Sequence, residues 1–334
     1  MLLVGDGHAR GGVSLGLILL PVLAWTSVAK DERAGHPANA GLIVGLITAV
    51  LAIAIVLPPH GSRDVWSYVM YGRILEHYGV SPYTHVPSNF PHDPFLHLAG
   101  WRGTPSVYGP VFVAIAAIGS RVAGNSVPAA RLFYQGLSAG AVAIALALIW
   151  RRTRSPAALA MLGLNPLVVV SVVNGAHNDA LVGLGILAAV LFVEDGRLRA
   201  AGIALAAVAL VKITALLALP ALIVFCAFKR GRNAATSLAA TTSVVVGLGY
   251  AIAGAPAIRA LGVTHELMTR ATIWRLPRAL LDANPGAPHY GLGRVNWLGV
   301  FDLAGFGLIG ALALTIAWQR RQAVDVADAV TLAL

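Results

Sequence analysis

The chain has 334 residues, of which 57% are hydrophobic and only 11% charged, with a formal net charge of +10. Soluble domains carry roughly twice that charged fraction, and the apolar runs here recur along most of the length. Each is long enough to cross a ~30 Å hydrocarbon layer at about 1.5 Å per residue, which excludes a single soluble core. The positive charge does not read as a nucleic-acid face, and no nucleic-acid partner is expected. Half of the 24 Lys and Arg residues sit in five short clusters between apolar runs: Lys30 and Arg33; Arg151, Arg152 and Arg154; Arg197 and Arg199; Lys229, Arg230 and Arg232; Arg320 and Arg321. That is the positive-inside pattern. The single cysteine, Cys226, excludes an intramolecular disulfide and a cysteine-based metal site.

Placing all five clusters in the cytoplasm sets the order of spans. Residues 12–29 have no basic cluster before them, only Arg10, and read as a first span, running inward, rather than a signal peptide. Residues 40–57 run outward, which leaves 58–107 as an external loop. Residues 108–122 are apolar but short and open on Gly109-Pro110; a full crossing would put Arg151 and Arg152 outside, so they read as re-entrant or interfacial. Residues 128–150 run inward, 157–173 outward and 180–194 inward.

The stretch 200–228 is too long for one span and carries Lys212 near its middle. Two short helices meeting near Lys212 and Pro220 keep Arg199 and Lys229 on the same side. Residues 234–253 then lead to a second external loop at 254–294, and 296–318 return inward. The apolar tail, 323–334, is about half a span, too short to satisfy its backbone in lipid without neighbours. The chain therefore reads as cut short at its C-terminus. The expected fold is an all-α polytopic membrane protein, with one transmembrane domain over 1–334.

Four places carry candidate chemistry. Asp64 follows a span, where a lipid headgroup meets water, and Ser62 is placed to cap a helix running to Gly79. Val65, Val69 and Gly72 share one face of that helix, and Asp64, Ser67, Tyr68 and Tyr71 another, which predicts a helix lying along the interface. Asp64 is either a general base or a first-turn acid favoured by the helix dipole. The run Asn174-Gly175-Ala176-His177-Asn178-Asp179 lies between two apolar spans, where ionisable groups are costly; it is either a solvated turn or part of a site. Lys212 has no acid near it in sequence, and either snorkels or offers an ammonium to an anionic headgroup. In the second loop Arg259, Arg270, Arg275, Arg278 and Arg294 outnumber Glu266 and Asp282, matching an anionic ligand or lipid phosphates equally well. His60, His77, His85, His92 and His97 show no regular metal-ligand spacing, His265-Glu266 lacks a second histidine, and neither metal nor cofactor is expected.

Arg63-Asp64-Val65-Trp66-Ser67-Tyr68, Tyr71-Gly72-Arg73, Ser81-Pro82-Tyr83 and Tyr108-Gly109-Pro110 resemble the first external loop of the GT-C glycosyltransferases. Leu164-Asn165-Pro166-Leu167, Gly175-Ala176-His177-Asn178-Asp179 and Val211-Lys212 continue the order, and together they resemble the polyprenol-phosphate-mannose-dependent α-1,6-mannosyltransferases over about residues 60–220. The resemblance implies a GT-C-like helix bundle in the cell membrane, a polyprenyl-phosphate-mannose donor, a lipid-linked mannan acceptor and an extracytoplasmic site. It also implies Asp64 as catalytic base and a longer chain with further spans. In that frame Lys212, Arg63 and His177 are candidates for the donor phosphate, and Tyr68, Tyr108, Asn178 and Asp179 for the sugar or acceptor. A GT-C enzyme using another polyprenyl-phosphate sugar, or a transporter, are the alternatives; a transporter would bring ionisable residues near the bilayer midplane and repeated halves.

Overall fold

The computed structural model describes residues 39–59 and 62–262, together with residues 23, 26 and 27. The spans expected at 12–29 and 296–318, the terminal tail, His60 and the second loop beyond residue 262 lie outside the described residues. Among the described residues the chain is all-α, in this order: α1 (Ala40–Val56), α2 (Asp64–Glu76), α3 (Pro110–Ala123), α4 (Val127–Thr153), α5 (Pro156–Gly163), a π-helical segment (Leu167–Asn174), α6 (Asp179–Glu194), α7 (Leu198–Ala209), a 3₁₀ segment (Ile213–Leu217), α8 (Ala218–Arg230), α9 (Arg232–Ala253) and α10 (Ala255–Leu261). Three helical stretches, Val127–Thr153, Ile213–Arg230 and Arg232–Ala253, are long and apolar enough to cross a membrane, and the bent pair α5 plus Leu167–Asn174 makes a fourth.

Local chemistry explains most of the boundaries. Asn39, Ser126 and Ser155 each accept a backbone N–H of the first turn, and Pro128 and Pro156 occupy first-turn positions whose N–H would be orphaned anyway. Helix α2 ends at Glu76 and the chain turns away through Gly79 at φ +67.

Three large apolar clusters, and a smaller one around Leu210, Tyr250 and Ala257, hold the described residues together. One joins α1, α4, α5 and the π segment through Ile43, Ile47, Leu146, Leu159 and Val169. A second joins α6, α7, α8 and α9 through Val193, Leu205, Leu222 and Leu238. The third gathers α2, α3, the start of α4 and the 77–109 loop around Val65, Tyr68, Phe95 and Phe112, and it also takes in Ala176 and Val211. Those two residues come from breaks in the helices of the other clusters, so the third cluster sits over the place where all three meet.

Three expectations change. Residues 157–173 form no single helix: α5 and the π segment meet at 52° around Asn165-Pro166, because proline disfavours α-helical backbone in the residue before it. The 200–228 stretch does break at Lys212, which is extended (φ −149, ψ 116), but Pro220 lies in the first turn of α8, where no helical N–H is required, and causes no break. Both expected faces of α2 are covered by protein, including Tyr68, Val69 and Tyr71, so the helix presents no open polar face beyond the partly exposed Asp64 at its start. Lys212 does have an acid beside it in space, Asp179.

The break at Lys212 is satisfied from outside. The N–H groups of Gly109 and Val111 donate to the carbonyls of Val211 (2.9 Å) and Leu210 (3.0 Å), so the N-terminus of α3 meets the C-terminus of α7. Orphan donors of one helix thus pair with orphan acceptors of another, with their dipoles aligned favourably. A Cβ at Gly109 would overlap the Leu210 carbonyl, which is why glycine stands there. The C-terminus of α1 is closed in a comparable way by side chains. Arg131 donates to the carbonyls of Ile55, Val56 and Leu57, Gln135 to Ala54, Leu57 and Asn174, and Asn174 to Ala54, Leu57 and Pro58.

Gly72 marks the crossing of α2 over α3, where an added Cβ would overlap the Ala116 carbonyl. Gly72→Ala gains about 1 kcal/mol in helix propensity, but overpacking against a fixed backbone costs about 1–3 kcal/mol. The expected outcome is a lower thermal midpoint in detergent; a raised one would show that the crossing has slack.

Candidate functional site

The site begins at the N-terminus of α2. Asp64 donates its backbone N–H to Ser62 Oγ at 3.1 Å and stands in the first turn, with its side chain 25% exposed. Ser67 and Tyr68, three and four residues on, share its face, and Tyr68 packs edge-on against Tyr108 at 5.1 Å. Burial, first of all, holds both phenols well above the ordinary tyrosine range; the charge of Asp64 adds to this at both. Both therefore stay protonated and serve as walls and hydrogen-bond partners, not as bases.

The second part comes from the turn after the π segment. Ala176 adopts φ +56, a left-handed conformation that alanine takes only under constraint, with its side chain 2% exposed in the third cluster. That turn delivers His177 between two carboxylates: its Nδ1 lies 3.9 Å from Asp64 Oδ2 and 3.7 Å from Asp179 Oδ2. Its carbonyl accepts from Ser138 Oγ of α4 at 3.1 Å, fixing the turn. The third part is Lys212, whose Nζ donates to Asp179 Oδ1 at 2.7 Å. Two carboxylates, an imidazole and an ammonium from three remote segments thus form one chain of contacts, Asp64–His177–Asp179–Lys212, each member partly open to solvent.

The other expected site residues fall around this line unevenly. Arg63 is exposed, immediately ahead of Asp64, and among the described residues it makes no ion pair. Tyr68, at 1% exposure, lies beneath the site rather than on its surface. Asn178 is buried, and among the described residues neither its Oδ1 nor its Nδ2 has a partner, an arrangement that costs about 1–3 kcal/mol when uncompensated. Asn174, in the same run, is a structural residue that closes α1. Of the five second-loop arginines only Arg259 lies within the described residues.

Two features carried no signal that spacing could reveal. Trp101, in the loop, donates its indole N–H to Asp64 Oδ1 at 2.7 Å. Asp93 pairs with Arg73 at 2.6 Å inside the third cluster. Arg131 and Gln135 were legible: a charge and an amide four residues apart inside an apolar span mark a polar contact.

The basic end of the molecule lies at the other end of α6. There Arg152 pairs with Asp195 at 2.7 Å and Arg230 donates to the Glu194 carbonyl at 2.6 Å. An open depression of about 460 Å³ lined by Arg197, Arg199 and Ser237 occurs at that end, away from Asp64. With 16 residues in α6, the two ends are about 24 Å apart at ~1.5 Å per residue.

Residues 7–228 match the family described as "Alpha-(1->6)-mannopyranosyltransferase, N-terminal domain", a stretch that contains Asp64, His177, Asp179 and Lys212. Alpha-(1->6)-mannopyranosyltransferase A of Corynebacterium glutamicum is 30% identical over 257 residues, 69% of this chain and 52% of that protein. Alpha-(1->6)-mannopyranosyltransferase A of Mycobacterium tuberculosis is 32% identical over 228 residues, 62% of this chain and 43% of that protein. Alpha-(1->6)-mannopyranosyltransferase B of Corynebacterium glutamicum is 30% identical over 184 residues, covering 50% and 30% respectively. The chain spans about half the length, or less, of these curated relatives. No solved structure matches it.

Proposed function

The chain belongs to the alpha-(1->6)-mannopyranosyltransferase family by its N-terminal domain, and on that footing we propose that it moves a mannosyl unit from a polyprenyl-phosphate donor to a hydroxyl of a lipid-linked mannan, on the extracytoplasmic face of the membrane. The observation that carries this reading is the contact line Asp64–His177–Asp179–Lys212, which sets a carboxylate and an ammonium on one rim. The basic end of the bundle supports the orientation, since Lys and Arg clusters favour the cytoplasm and the site lies at the opposite end of α6.

The chemistry needs little more. The acceptor oxygen attacks the mannose C1 as Asp64 takes its proton, and the bond from C1 to the phosphate oxygen breaks with its electron pair going to the phosphate. The products are the new mannoside, inverted from β to α, and polyprenyl phosphate; the proton on Asp64 later returns to water. Phosphate is a good leaving group, so one base suffices where glycoside hydrolysis requires a pair of carboxylates. Lys212 stabilises the charge that grows on the leaving phosphate, with His177 and Arg63 beside it. Tyr108, Asn178 and Asp179 border the sugar, Tyr68 supports Tyr108 from below, and the apolar helices line the path of the polyprenyl chain.

The direct test incubates membranes containing the chain with labelled polyprenyl-phosphate-mannose and a short mannoside, then analyses the linkage. Label in an α-1,6 product is expected. Transfer only from a different polyprenyl-phosphate sugar would overturn the donor assignment.

Lys212 gives a sharper check on the phosphate site. A charge-assisted hydrogen bond contributes about 1.5–3 kcal/mol, so Lys212→Met should raise the donor KM roughly 10–100-fold. The double variant Lys212→Met/Asp179→Asn separates the two roles of the lysine. If Lys212 binds phosphate, donor KM stays high; recovery to the parent value would mean that it only neutralises Asp179.

A further inference from the structure

We propose that Trp101 is the positioning residue for Asp64, and that it determines which carboxylate oxygen receives the acceptor proton. The proposal rests on the reading of Asp64 as the base. Trp101 is held to α2 at two points on one face: its backbone N–H donates to Ser67 Oγ at 3.2 Å and its indole Nε1–H to Asp64 Oδ1 at 2.7 Å. Residues 64 and 67 are one turn apart, so the two contacts fix the ring along the helix.

The turn that presents Trp101 is braced. Arg102 donates from Nε to the Ala99 carbonyl (3.1 Å) and from Nη2 to the His97 carbonyl (2.7 Å), and Gly100 lies against the Cβ of Arg63 with little room for a side chain of its own. Ser67 has no exposed surface and Ala99 is 1% exposed, so the anchor points belong to the packed core.

The indole N–H occupies Oδ1, which leaves Oδ2 as the open oxygen, 3.9 Å from His177 Nδ1. A carboxylate free to rotate about its terminal torsion would present either oxygen at variable angles. One strong donor on one oxygen removes that freedom before substrate arrives, the preorganisation on which base catalysis depends. The indole is itself 40% exposed, so it forms the wall past which the acceptor hydroxyl reaches Oδ2. Among the described residues Asp64 has Arg63, Tyr68, Tyr108, His177, Asp179 and Lys212 as titratable neighbours, and its Oδ1 accepts from the Trp101 indole.

The test is a four-member cycle: parent, Trp101→Phe, Asp64→Asn and the double variant, each assayed in membranes for mannosyl transfer with kcat and acceptor KM separated. Phenylalanine keeps an aromatic ring while removing the N–H donor and part of the indole's bulk. Trp101→Phe should lower kcat roughly 10-fold or more with acceptor KM little changed. In the Asp64→Asn background the same substitution should change the residual rate hardly at all, because its whole effect passes through Asp64. Equal losses in both backgrounds would mean a merely structural role and sink the proposal, as would a Trp101→Phe protein with parental kcat. If Asp64→Asn itself turned over at the parental rate, the base assignment would fail instead, and the two failures are distinguishable within the one set of measurements.

Discussion

Replacing Asp64 by Asn is expected to lower the mannosyl transfer rate on the order of 10²–10⁴-fold, the usual contribution of a positioned general base, with the donor KM near its parental value. Asparagine has the same shape, and its amide oxygen can still accept the Trp101 indole N–H where Oδ1 does now. What it lacks is a basic second oxygen at the Oδ2 position beside His177. The neighbouring phenols do not replace it: burial keeps Tyr68 and Tyr108 protonated, so neither can accept the hydroxyl proton. Asp64→Glu restores the carboxylate but displaces it by a methylene, and a misplacement near 1 Å costs about 10²-fold. Glutamate should therefore rescue only part of the rate. The measurement is single-turnover transfer from labelled donor, and an asparagine protein with parental turnover would remove Asp64 from the mechanism.

The second large effect is on the platform, not the chemistry. Arg73 and Asp93 pair at 2.6 Å with side chains 4% and 0% exposed, and each makes further polar contacts. Arg73 donates to the Gly124 carbonyl and lies over the Phe95 ring, while Asp93 accepts from Tyr78 and from the backbone N–H of Phe95. One ion pair thereby ties α2, the C-terminus of α3 and the loop that bears Trp101. Removing one partner leaves a buried charge uncompensated, so Arg73→Met or Asp93→Leu should each cost about 3–5 kcal/mol of stability. Replacing both with apolar residues removes the stranded charge, and the double variant should regain most of that loss. Thermal unfolding in detergent reads the stability, and protease cleavage within 77–109 reads the loop. Additive losses in the double variant would show that the contacts to Gly124, Tyr78 and Phe95, not the pairing of charges, hold the loop down.

Much of this protein could be read along the chain. Helix starts at Ala40, Val127 and Pro156 follow from Asn39, Ser126 and Ser155, the last two followed by first-turn prolines, because capping is a local contact within one turn. The break at Lys212 was legible because a run with a charge at its centre is too long for one span and too polar to stay straight. Asp64, His177 and Lys212 stood out for a related reason: ionisable groups are rare beside apolar spans. What they touch was not legible, and neither was the enclosure of α2. Contact between Asp64 and His177, or between Asp179 and Lys212, depends on how three apolar clusters stack, and packing is decided by surfaces that meet only once the helices have formed. The same holds for Trp101, 37 positions from Asp64, and for Asp93, which is an ordinary loop acid until Arg73 is folded against it. Composition and local capping determined a bundle of apolar helices with breaks at polar residues. The tertiary structure alone decided which of those polar residues became neighbours, because hydrogen bonds and ion pairs act over a few ångströms while the residues that make them are remote in the chain.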